Sequence, residues 1–294
     1  MKIFNLGSLN IDHVYAVSHF VRPGETLSAD RLQIFPGGKG LNQSVALARA
    51  GARPIHGGLI GSDGAFLRTV LADAGVDTAF VRTVDVPTGH AVIQVDESGQ
   101  NCILLFAGAN RAWSEAFVRE ILHDAQPGDM LLLQNEIDAL PVIFAVAKEK
   151  GLSIAFNPSP FDKRLSALPL DLVTWWLVNE LECAALTGEH DPQRMADALI
   201  ARYPHSRLVL TLGGDGCLYR DSEKAVRQPA FPVRAVDTTA AGDTFTGFFL
   251  AQIAAGKPVE AALRTAAAAA AIVVSRPGAS CSIPTLAEAE HAVF

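Results

Sequence analysis

Short runs of apolar residues alternate along the chain with stretches in which apolar residues recur at helical spacing. The apolar runs are residues 130–133, 153–156, 172–178 and 208–212, and the helical stretches are residues 115–123, 142–150 and 193–202. Continuous apolar runs of this length are typical of strands that are buried on both faces. Strands that alternate with helices favour a parallel sheet. The pattern therefore predicts an α/β fold with a mostly parallel sheet and flanking helices.

Two stretches, residues 11–35 and 90–106, break this alternation because neither contains a convincing helical pattern. In the second, two strand-like runs flank the turn residues 96–100, which predicts a β-hairpin. Together the two stretches predict a small additional sheet, inserted twice into the main domain. The six alanines at 266–271 are expected to lie in a tightly packed helix, since alanine is the best helix former.

Composition narrows the classes of function. Hydrophobic residues make up 49% of the 294 residues and the net charge is −7, which indicates a buried core and disfavours nucleic acid and anionic membranes as partners. The four cysteines form no C-x-x-C pair and are expected to be reduced thiols, mostly in the core. No signal-peptide pattern or membrane-length apolar run is seen, so a cytoplasmic location is expected.

The most informative motif is residues 236–245, VDTTAAGDTF, where a loop of small residues leads into a helical pattern. Small side chains let backbone N–H groups approach a ligand, and a helix N-terminus offers unpaired donors and a positive dipole end that suit a phosphate. Asp243 lies at the same point and could accept a proton from a hydroxyl. The motif is also compatible with a simple helix-start acid after a tight turn.

A second motif, residues 35–43, contains three glycines before a helix that is expected to begin near Leu41. It is not a Walker A loop, because the G-x-x-x-x-G-K-[ST] pattern is absent. Lys39, Asn42 and the main chain of this loop could hold a polyhydroxylated ligand. Asn10 and Asp12, after the first strand, share one side of an extended segment, and a carboxylate there could accept from two hydroxyls. By themselves, such N-x-D pairs are more often solvated turns.

Two more strand ends carry polar residues. Asn179 lies at a strand-to-helix junction with Glu182 one turn later, which also fits a plain N-cap. Residues 211–216 form a glycine-rich turn after a strand, and this turn could surround phosphates or simply close a hairpin.

In order and spacing, these motifs resemble the ribokinase-like (PfkB-type) family of carbohydrate kinases, from about residue 7 to residue 284. The two signatures are Gly37-Gly38-Lys39-Gly40 with Asn42, and residues 237–243, about two hundred residues later. The resemblance implies a Rossmann-like sheet as a single domain over residues 1–294, with a small β-sheet lid formed by approximately residues 11–36 and 89–107. It also implies an ATP-dependent sugar kinase, with D-ribose converted to D-ribose 5-phosphate as the expected reaction.

The resemblance implies a role for each motif residue. Asp243 would act as the catalytic base, and the amides of Ala240, Ala241, Gly242 and Asp243 would form an anion hole. Asp243 would also contact the sugar, together with Asn10, Asp12, Gly37, Gly38, Lys39, Asn42 and Glu136. The ATP site would be lined by Asn179, Thr211, Leu212, Gly213, Gly214, Asp215, Gly216 and Gly242. Glu182 would order Mg²⁺ through water, and an activating K⁺ would be held, mostly by carbonyl oxygens, at Asp237, Thr239, Val273, Arg276, Gly278 and Ser282.

The chain departs from the family pattern at two positions. Ala267 stands where family members often carry His or Asn near the adenine, which removes a polar contact. Ala240 stands where the anion-hole segment frequently has glycine.

Other functions remain open from the sequence. A related kinase could act on 2-deoxyribose, a hexose or a nucleoside, although a nucleoside would need an aromatic pocket and aromatic residues are only 7%. A non-catalytic sugar-binding regulator would be expected to lack Asp243 or Gly242, and both are present. A Rossmann-type oxidoreductase would carry G-x-G-x-x-G after the first strand, which is absent.

The predicted hairpin suggests a homodimer. In residues 102–106 both faces of the strand are apolar, whereas a lid over a sugar needs only one covered face. Two copies that pack lid against lid would cover the other face. The alternative is that the main domain of the same chain covers it.

Overall fold

The computed structural model describes all 294 residues, and its core is a nine-stranded sheet. In spatial order, the strands are β13 (Ala225–Gln228), β12 (Cys217–Arg220), β11 (Arg207–Thr211), β10 (Val173–Asn179), β9 (Ser153–Asn157), β8 (Met130–Gln134), β1 (Ile3–Leu6), β4 (Pro54–Ile60) and β5 (Asp77–Thr83). The seven strands from β11 to β5 are parallel, and β12 and β13 pair antiparallel at one edge. The predicted mostly parallel sheet is confirmed.

Helices cover both faces of this sheet. They are α1 (Lys39–Arg49), α2 (Ala65–Asp73), α3 (Glu115–Ile121), α4 (Leu140–Lys150), α5 (Glu180–Thr187), α6 (Pro192–Arg202), α7 (Ala241–Ala254), α8 (Val259–Val274) and α9 (Leu286–His291). One core cluster of 36 buried residues lies between the sheet and α1, α2, α7 and α8, and a second of 34 lies under α3 to α6. Because neighbouring residues of a strand point to opposite faces, Trp175 belongs to the first cluster and Trp176 to the second.

Differences from the predicted elements lie at their ends. Helices α4 and α6 begin earlier than their apolar spacing indicates, because each carries a proline in its first turn, where the missing N–H has no helical partner to lose. Helix α1 begins at Lys39 instead of Leu41. The alanine run lies within α8, as expected.

A separate four-stranded sheet is formed by the two irregular stretches. Its order is β3 (Arg31–Gly37), β2 (Asn10–Ala16), β6 (Gly89–Val95) and β7 (Asn101–Phe106). β2 and β6 are parallel, and the other two pairs are antiparallel, so the predicted hairpin is β6–β7. Strand β7 forms one edge, and all six of its residues are exposed.

All four cysteines are free thiols, as predicted. Cys183 and Cys217 are buried, and burial raises the pKa of both to about 12. The expectation that most cysteines lie in the core is wrong, because Cys102 on β7 and Cys281 in a loop are exposed. None of the helices is both long and apolar enough to cross a bilayer.

Candidate active site

The candidate site lies where the parallel strands end at their carboxyl edge, which is the usual ligand position in such sheets. The loops after β1, β8, β9, β10 and β11 converge there with the N-termini of α1 and α7. Two neighbouring cavities of about 240 and 440 Å³ share part of their lining at the start of α7. The first is mainly polar and the second mainly apolar. A ligand with a charged part and an apolar part would fit this arrangement.

Asp243 lies in the first turn of α7 and is only 7% exposed. Its carboxylate accepts hydrogen bonds from Asn42 Nδ2 at 3.1 Å and from Gln43 Nε2 at 2.8 Å. Both donors belong to α1, which packs against α7. The two signature segments, two hundred residues apart in sequence, therefore meet at one carboxylate.

The backbone at the start of α7 leaves donors free. No side chain caps this helix, and the N–H groups of Gly242 and Asp243 have no acceptor within the protein. Ala240, the residue before the helix, has φ 60° and ψ 10°, the left-handed conformation, and is the only non-glycine residue with positive φ. These first-turn amides line the polar cavity and form a ready site for an anion.

Lys39 lies in the polar cavity at the start of α1. Burial alone would lower the pKa of Lys39, but the carboxylates of Asp243, Glu136 and Glu182 outweigh that effect and raise it. Glu136, just after β8, accepts from the backbone N–H of Lys39 at 3.0 Å and from the hydroxyl of Ser8. Burial raises the pKa of Glu136, and the positive charge of Lys39 opposes that rise. Lys39 thus remains a cation among three acids.

Asp12 extends the acidic surface onto the second sheet. Burial, with a smaller contribution from the charge of Glu136, raises the pKa of Asp12 to about 6. A Cβ atom at Gly37 would lie 2.1 Å from Asp12 Oδ2, so only glycine leaves room for this carboxylate. Asn10, one pleat earlier, accepts from Asn110 Nδ2 at 2.8 Å.

The glycine loop before α1 packs closely against the loop after β1. Gly38 has φ 93°, and a Cβ atom there would lie 2.9 Å from the carbonyl oxygen of Ser8. This close approach brings the loop that carries Lys39 beside the segment that carries Asn10 and Asp12.

Asn179 and Glu182 form a complete capping box at the start of α5. Glu182 N donates to Asn179 Oδ1 at 2.9 Å, and Asn179 N donates to Glu182 Oε2 at 3.0 Å. The N-cap interpretation is therefore correct as a contact, and both residues also line the polar cavity.

The glycine-rich segment after β11 is both a hairpin turn into β12 and a wall of the apolar cavity. Thr211, Gly213, Gly214 and Gly216 line that cavity. Leu212 belongs to the core instead, and Asp215 is exposed outside both cavities, so neither side chain joins the other predicted ATP residues. Ala267 also lines the apolar cavity.

The predicted monovalent-cation residues lie at the contact between two loops. Asp237 Oδ1 accepts from Thr239 N at 2.9 Å, and its Oδ2 accepts from Gly278 N at 3.0 Å. Burial would raise the pKa of Asp237, but these hydrogen bonds lower it. The hydroxyl of Ser282 donates to the carbonyl oxygen of Gly278 at 2.6 Å.

Val273 and Arg276, the other two residues of the predicted cation set, make different contacts. The carbonyl of Val273 accepts from Arg276 N at 3.2 Å, and the Arg276 side chain pairs with Glu288 at 2.7 Å, away from this contact. No three His, Cys, Asp or Glu side chains converge to hold a metal ion by themselves.

Sequence reasoning assigned no role to Gln43, Asn157, Thr238 or Phe245, all of which line or contact this site. Gln43 could have been found from the helical spacing of Lys39, Asn42 and Gln43, which places them on one face once α1 begins at Lys39. Asn157 could have been found because it directly follows an apolar run at the carboxyl edge.

Comparison with known proteins agrees with this geometry. Residues 1–286 match the pfkB family carbohydrate kinase model. The chain is 39% identical over 300 aligned residues to a ribokinase of Haemophilus influenzae, and the match covers 98% of each chain. A ribokinase of Thermotoga maritima has a similar structure, with a TM-score of 0.88 at 34% identity over 99% of this chain and 98% of the other. For the Arabidopsis thaliana ribokinase complexed with ribose and ATP, the TM-score is 0.87 at 31% identity over 98% of this chain and 97% of that chain.

The chain therefore belongs to the pfkB family of carbohydrate kinases. Its chemistry is that of a phosphotransferase that acts on a sugar hydroxyl. Family membership, enzyme class and fold, all predicted from the motifs, are confirmed.

Proposed function

We propose that this protein transfers the γ-phosphate of ATP to the 5-hydroxyl of D-ribose. The observation that carries the proposal is the position of Asp243, a buried carboxylate at a helix N-terminus where a polar and an apolar cavity meet. The similarity to ribokinases, one of them solved with ribose and ATP, supports ribose as the acceptor.

In this proposal, Asp243 orients the sugar hydroxyl and takes its proton while the bond to phosphorus forms. The free N–H groups at the start of α7 stabilise the negative charge on the transferring phosphoryl group. Lys39 lies in the same cavity and adds a positive charge between the two substrates. Phosphoryl transfer depends mainly on alignment and charge stabilisation, and this arrangement supplies both.

The sugar would be held by groups that match a row of hydroxyls. The carboxylates of Asp12 and Glu136 accept hydrogen bonds, and the amide of Asn10 adds a donor because its oxygen is already used by Asn110. The tight contact of Gly37 with Asp12 fixes this end of the pocket.

The nucleotide would place its base in the apolar cavity beside Ala267 and its phosphates in the polar one. Magnesium ions bind carboxylates, waters and substrate phosphates, and a site with few protein ligands is usual for Mg-ATP. Glu182 fits this role because it is 6% exposed, lines the polar cavity and has no cationic partner within ion-pair distance. Bound Mg²⁺ would neutralise phosphate charge.

We also propose activation by K⁺ at the contact between the Asp237 loop and the Gly278 loop. Asp237 already joins these loops through its hydrogen bonds with Thr239 and Gly278. The loop that carries Asp237 leads directly into Ala240 and α7. A cation there would stiffen the anion-binding segment without touching substrate. Activity should be higher in K⁺ than in a bulky organic cation at equal ionic strength, and equal rates would contradict the proposal.

We regard residues 1–294 as one kinase domain whose second sheet, approximately residues 11–36 and 89–107, acts as a lid over the sugar. Lid closure would exclude water, which competes as a nucleophile for the phosphoryl group. Because the reaction consumes ATP, we place the protein in the cytoplasm.

A homodimer through the lid is part of the proposal. Ile103, Leu104, Leu105 and Phe106 on β7 are all exposed, on both faces of the strand, and Leu104 is 72% exposed. Within one chain, about half or more of each of these side chains is left uncovered. Exposed apolar edge strands are usually covered by a partner, and a second copy would cover this one symmetrically.

The function is tested by ADP release with Mg-ATP over a panel of D-ribose, 2-deoxyribose, hexoses and nucleosides. We expect the highest kcat/KM with D-ribose. A higher value with another acceptor would contradict ribose but keep the kinase assignment. No ADP release with any acceptor would contradict both.

A further inference from the structure

A continuous network of side-chain amides, buried at Asn5, Gln134 and Gln43 and half-buried at Asn157, ends at the proposed base. Gln43, which is fully buried, donates from Nε2 to Asp243 Oδ1 at 2.8 Å and to Asn157 Oδ1 at 3.1 Å. Its Oε1 accepts from Gln134 Nε2 at 2.7 Å. Gln134 is also fully buried and makes no hydrogen bond to Asp243, so its hydrogen-bonded connection to the base runs through Gln43.

The orientation of an amide next to a carboxylate matters, because either its nitrogen or its oxygen can face the carboxylate. With its nitrogen toward Asp243, Gln43 stabilises the ionised carboxylate. With the amide turned over, its oxygen would face the carboxylate and repel it. Which end faces Asp243 is therefore decided by the groups that hold the rest of the network.

One end of the network is fixed at Gly40. Asn5 Nδ2 lies 2.9 Å from the carbonyl oxygen of Gly40, and a backbone carbonyl can only accept. The oxygen of Asn5 must then face Gln134, which donates from Nε2 at 2.9 Å. The same nitrogen of Gln134 also faces Gln43. Gln43 must therefore present its oxygen to Gln134.

The other end is fixed at Leu177 on β10. Asn157 Nδ2 donates to the carbonyl oxygen of Leu177 at 2.8 Å, so the oxygen of Asn157 faces Gln43 and requires a donor from it. Two backbone carbonyls on different elements thus dictate the same orientation of Gln43.

The hydrogen bonds that Asn5 makes away from Gln134 lead to no charged group. Asn5 Nδ2 donates to Ser44 Oγ at 2.8 Å, so the Ser44 hydroxyl is free to donate to His56 Nδ1 at 2.8 Å. Burial lowers the pKa of His56 to about 3, so this imidazole is neutral at physiological pH.

We propose that Gln43 and Gln134 are positioning residues for phosphoryl transfer, because the network of Asn5, Gln134, Gln43 and Asn157 holds a hydrogen-bond donor permanently toward Asp243. We call this network the amide relay. The proposal rests on Asp243 being the base of the proposed kinase reaction. The relay holds the carboxylate in one orientation, so that its remaining lone pairs face the acceptor hydroxyl.

Gln43→Met and Gln134→Met test the relay, since methionine keeps the length of glutamine and removes its hydrogen bonds. Gln43→Met should lower kcat about tenfold while KM for the sugar stays within about threefold, because the base loses a donor that orients it and the sugar contacts are unchanged. Gln134→Met should act in the same direction but more weakly, since Asn157 still orients Gln43.

Gln252→Met is the matched control. Gln252 is a buried glutamine on α7 whose amide contacts the carbonyl of Ala50 and has no link to Asp243. The charged side chains that interact with Asp243, Lys39 and Glu136, are the same in all three variants. Their melting temperatures identify any variant that is misfolded.

A kcat in Gln43→Met that equals the wild-type value, or an equal fall of kcat in Gln252→Met, would overturn the relay. If Gln43→Met does not fold, Gln134→Met alone decides, and an unchanged kcat there would also overturn the relay. A wild type that does not phosphorylate ribose contradicts the proposed function instead, whereas an active wild type and variants with unchanged kcat contradict only the relay.

Discussion

At the scale of single residues, Ala240 is the position where the chain accepts strain next to its chemistry. It has φ 60° at the start of α7, and a left-handed conformation costs a residue with a Cβ atom about 1–2 kcal/mol. Replacement by glycine removes that cost but adds about 0.5–1 kcal/mol of unfolded-state entropy. The difference favours glycine.

We therefore predict that Ala240→Gly raises the free energy of unfolding by about 0.5–1 kcal/mol, measured by urea denaturation. Ala241→Gly is the matched control. Ala241 is already in α7, so this change should instead destabilise by up to about 1 kcal/mol. If both variants lose stability equally, Ala240 is not strained.

Asp12 gives a pH-dependent prediction, because burial raises its pKa from the ordinary value of 3.8 to about 6. As pH falls through 6, the carboxylate gains a proton and loses acceptor capacity, so binding of the sugar should weaken. We expect KM for ribose to rise about tenfold per pH unit below this value, which follows from simple titration. Above pH 7, KM for ribose should be constant.

The measurement is KM for ribose from pH 5 to 8 at saturating ATP. Asp12→Asn should have a high KM that no longer varies with pH, and KM for ATP should stay flat in the wild type. A flat ribose KM in the wild type would show that Asp12 does not hold the sugar in its ionised form.

The sequence located the charged residues of the site but not their partners. Asp243, Lys39, Asp12 and Glu136 stand in recognisable motifs, and the structure brings them to one edge of the sheet. Gln43 was missed because its hydrogen bond spans 200 residues, and tertiary packing decides such contacts. The orientation of an amide is even less accessible, since it depends on backbone carbonyls such as that of Leu177.

At the scale of elements, β7 is the strand whose surroundings are incomplete in a single chain. Leu104 lies on this edge strand of the second sheet, and a dimer should bury its side chain. We predict a dimer by light scattering at micromolar concentration, and dissociation in Leu104→Asp and Phe106→Asp, because each places a charge against apolar surface.

The control for this prediction is Leu181→Asp on α5, a position that is 82% exposed and far from the second sheet in sequence. It should leave the oligomeric state unchanged. A monomeric wild type, or dimers that persist with full activity in both β7 variants, would exclude the lid-to-lid arrangement.

Periodicity predicted the type of most elements and the existence of the second sheet, but not every boundary. The first turns of α4 and α6 contain proline, which the apolar spacing does not anticipate. The strand order was also inaccessible, since β8 lies beside β1 although more than a hundred residues separate them. Which strands become neighbours in the sheet depends on how the strand-and-helix units pack against one another.

At the scale of the whole molecule, two layers of helices around the sheet bring loops from both halves of the chain to one cleft. The glycine loop before α1 and the start of α7 form the opposite walls of the point where sugar and phosphate would meet. The family signatures identified this pairing from the sequence, because both are specific and occur in the same chain. The lid and the dimer remain predictions.

The central claim is that Asp243 is the base of an ATP-dependent ribose kinase, and the most direct test is steady-state turnover of Asp243→Asn beside ribose binding by calorimetry. Asparagine keeps the size of the side chain but cannot take a proton. We predict that kcat falls by about 10²–10⁴, the usual range for a lost general base, while ribose affinity and the melting temperature stay close to the wild type. Turnover near the wild-type rate would contradict the account.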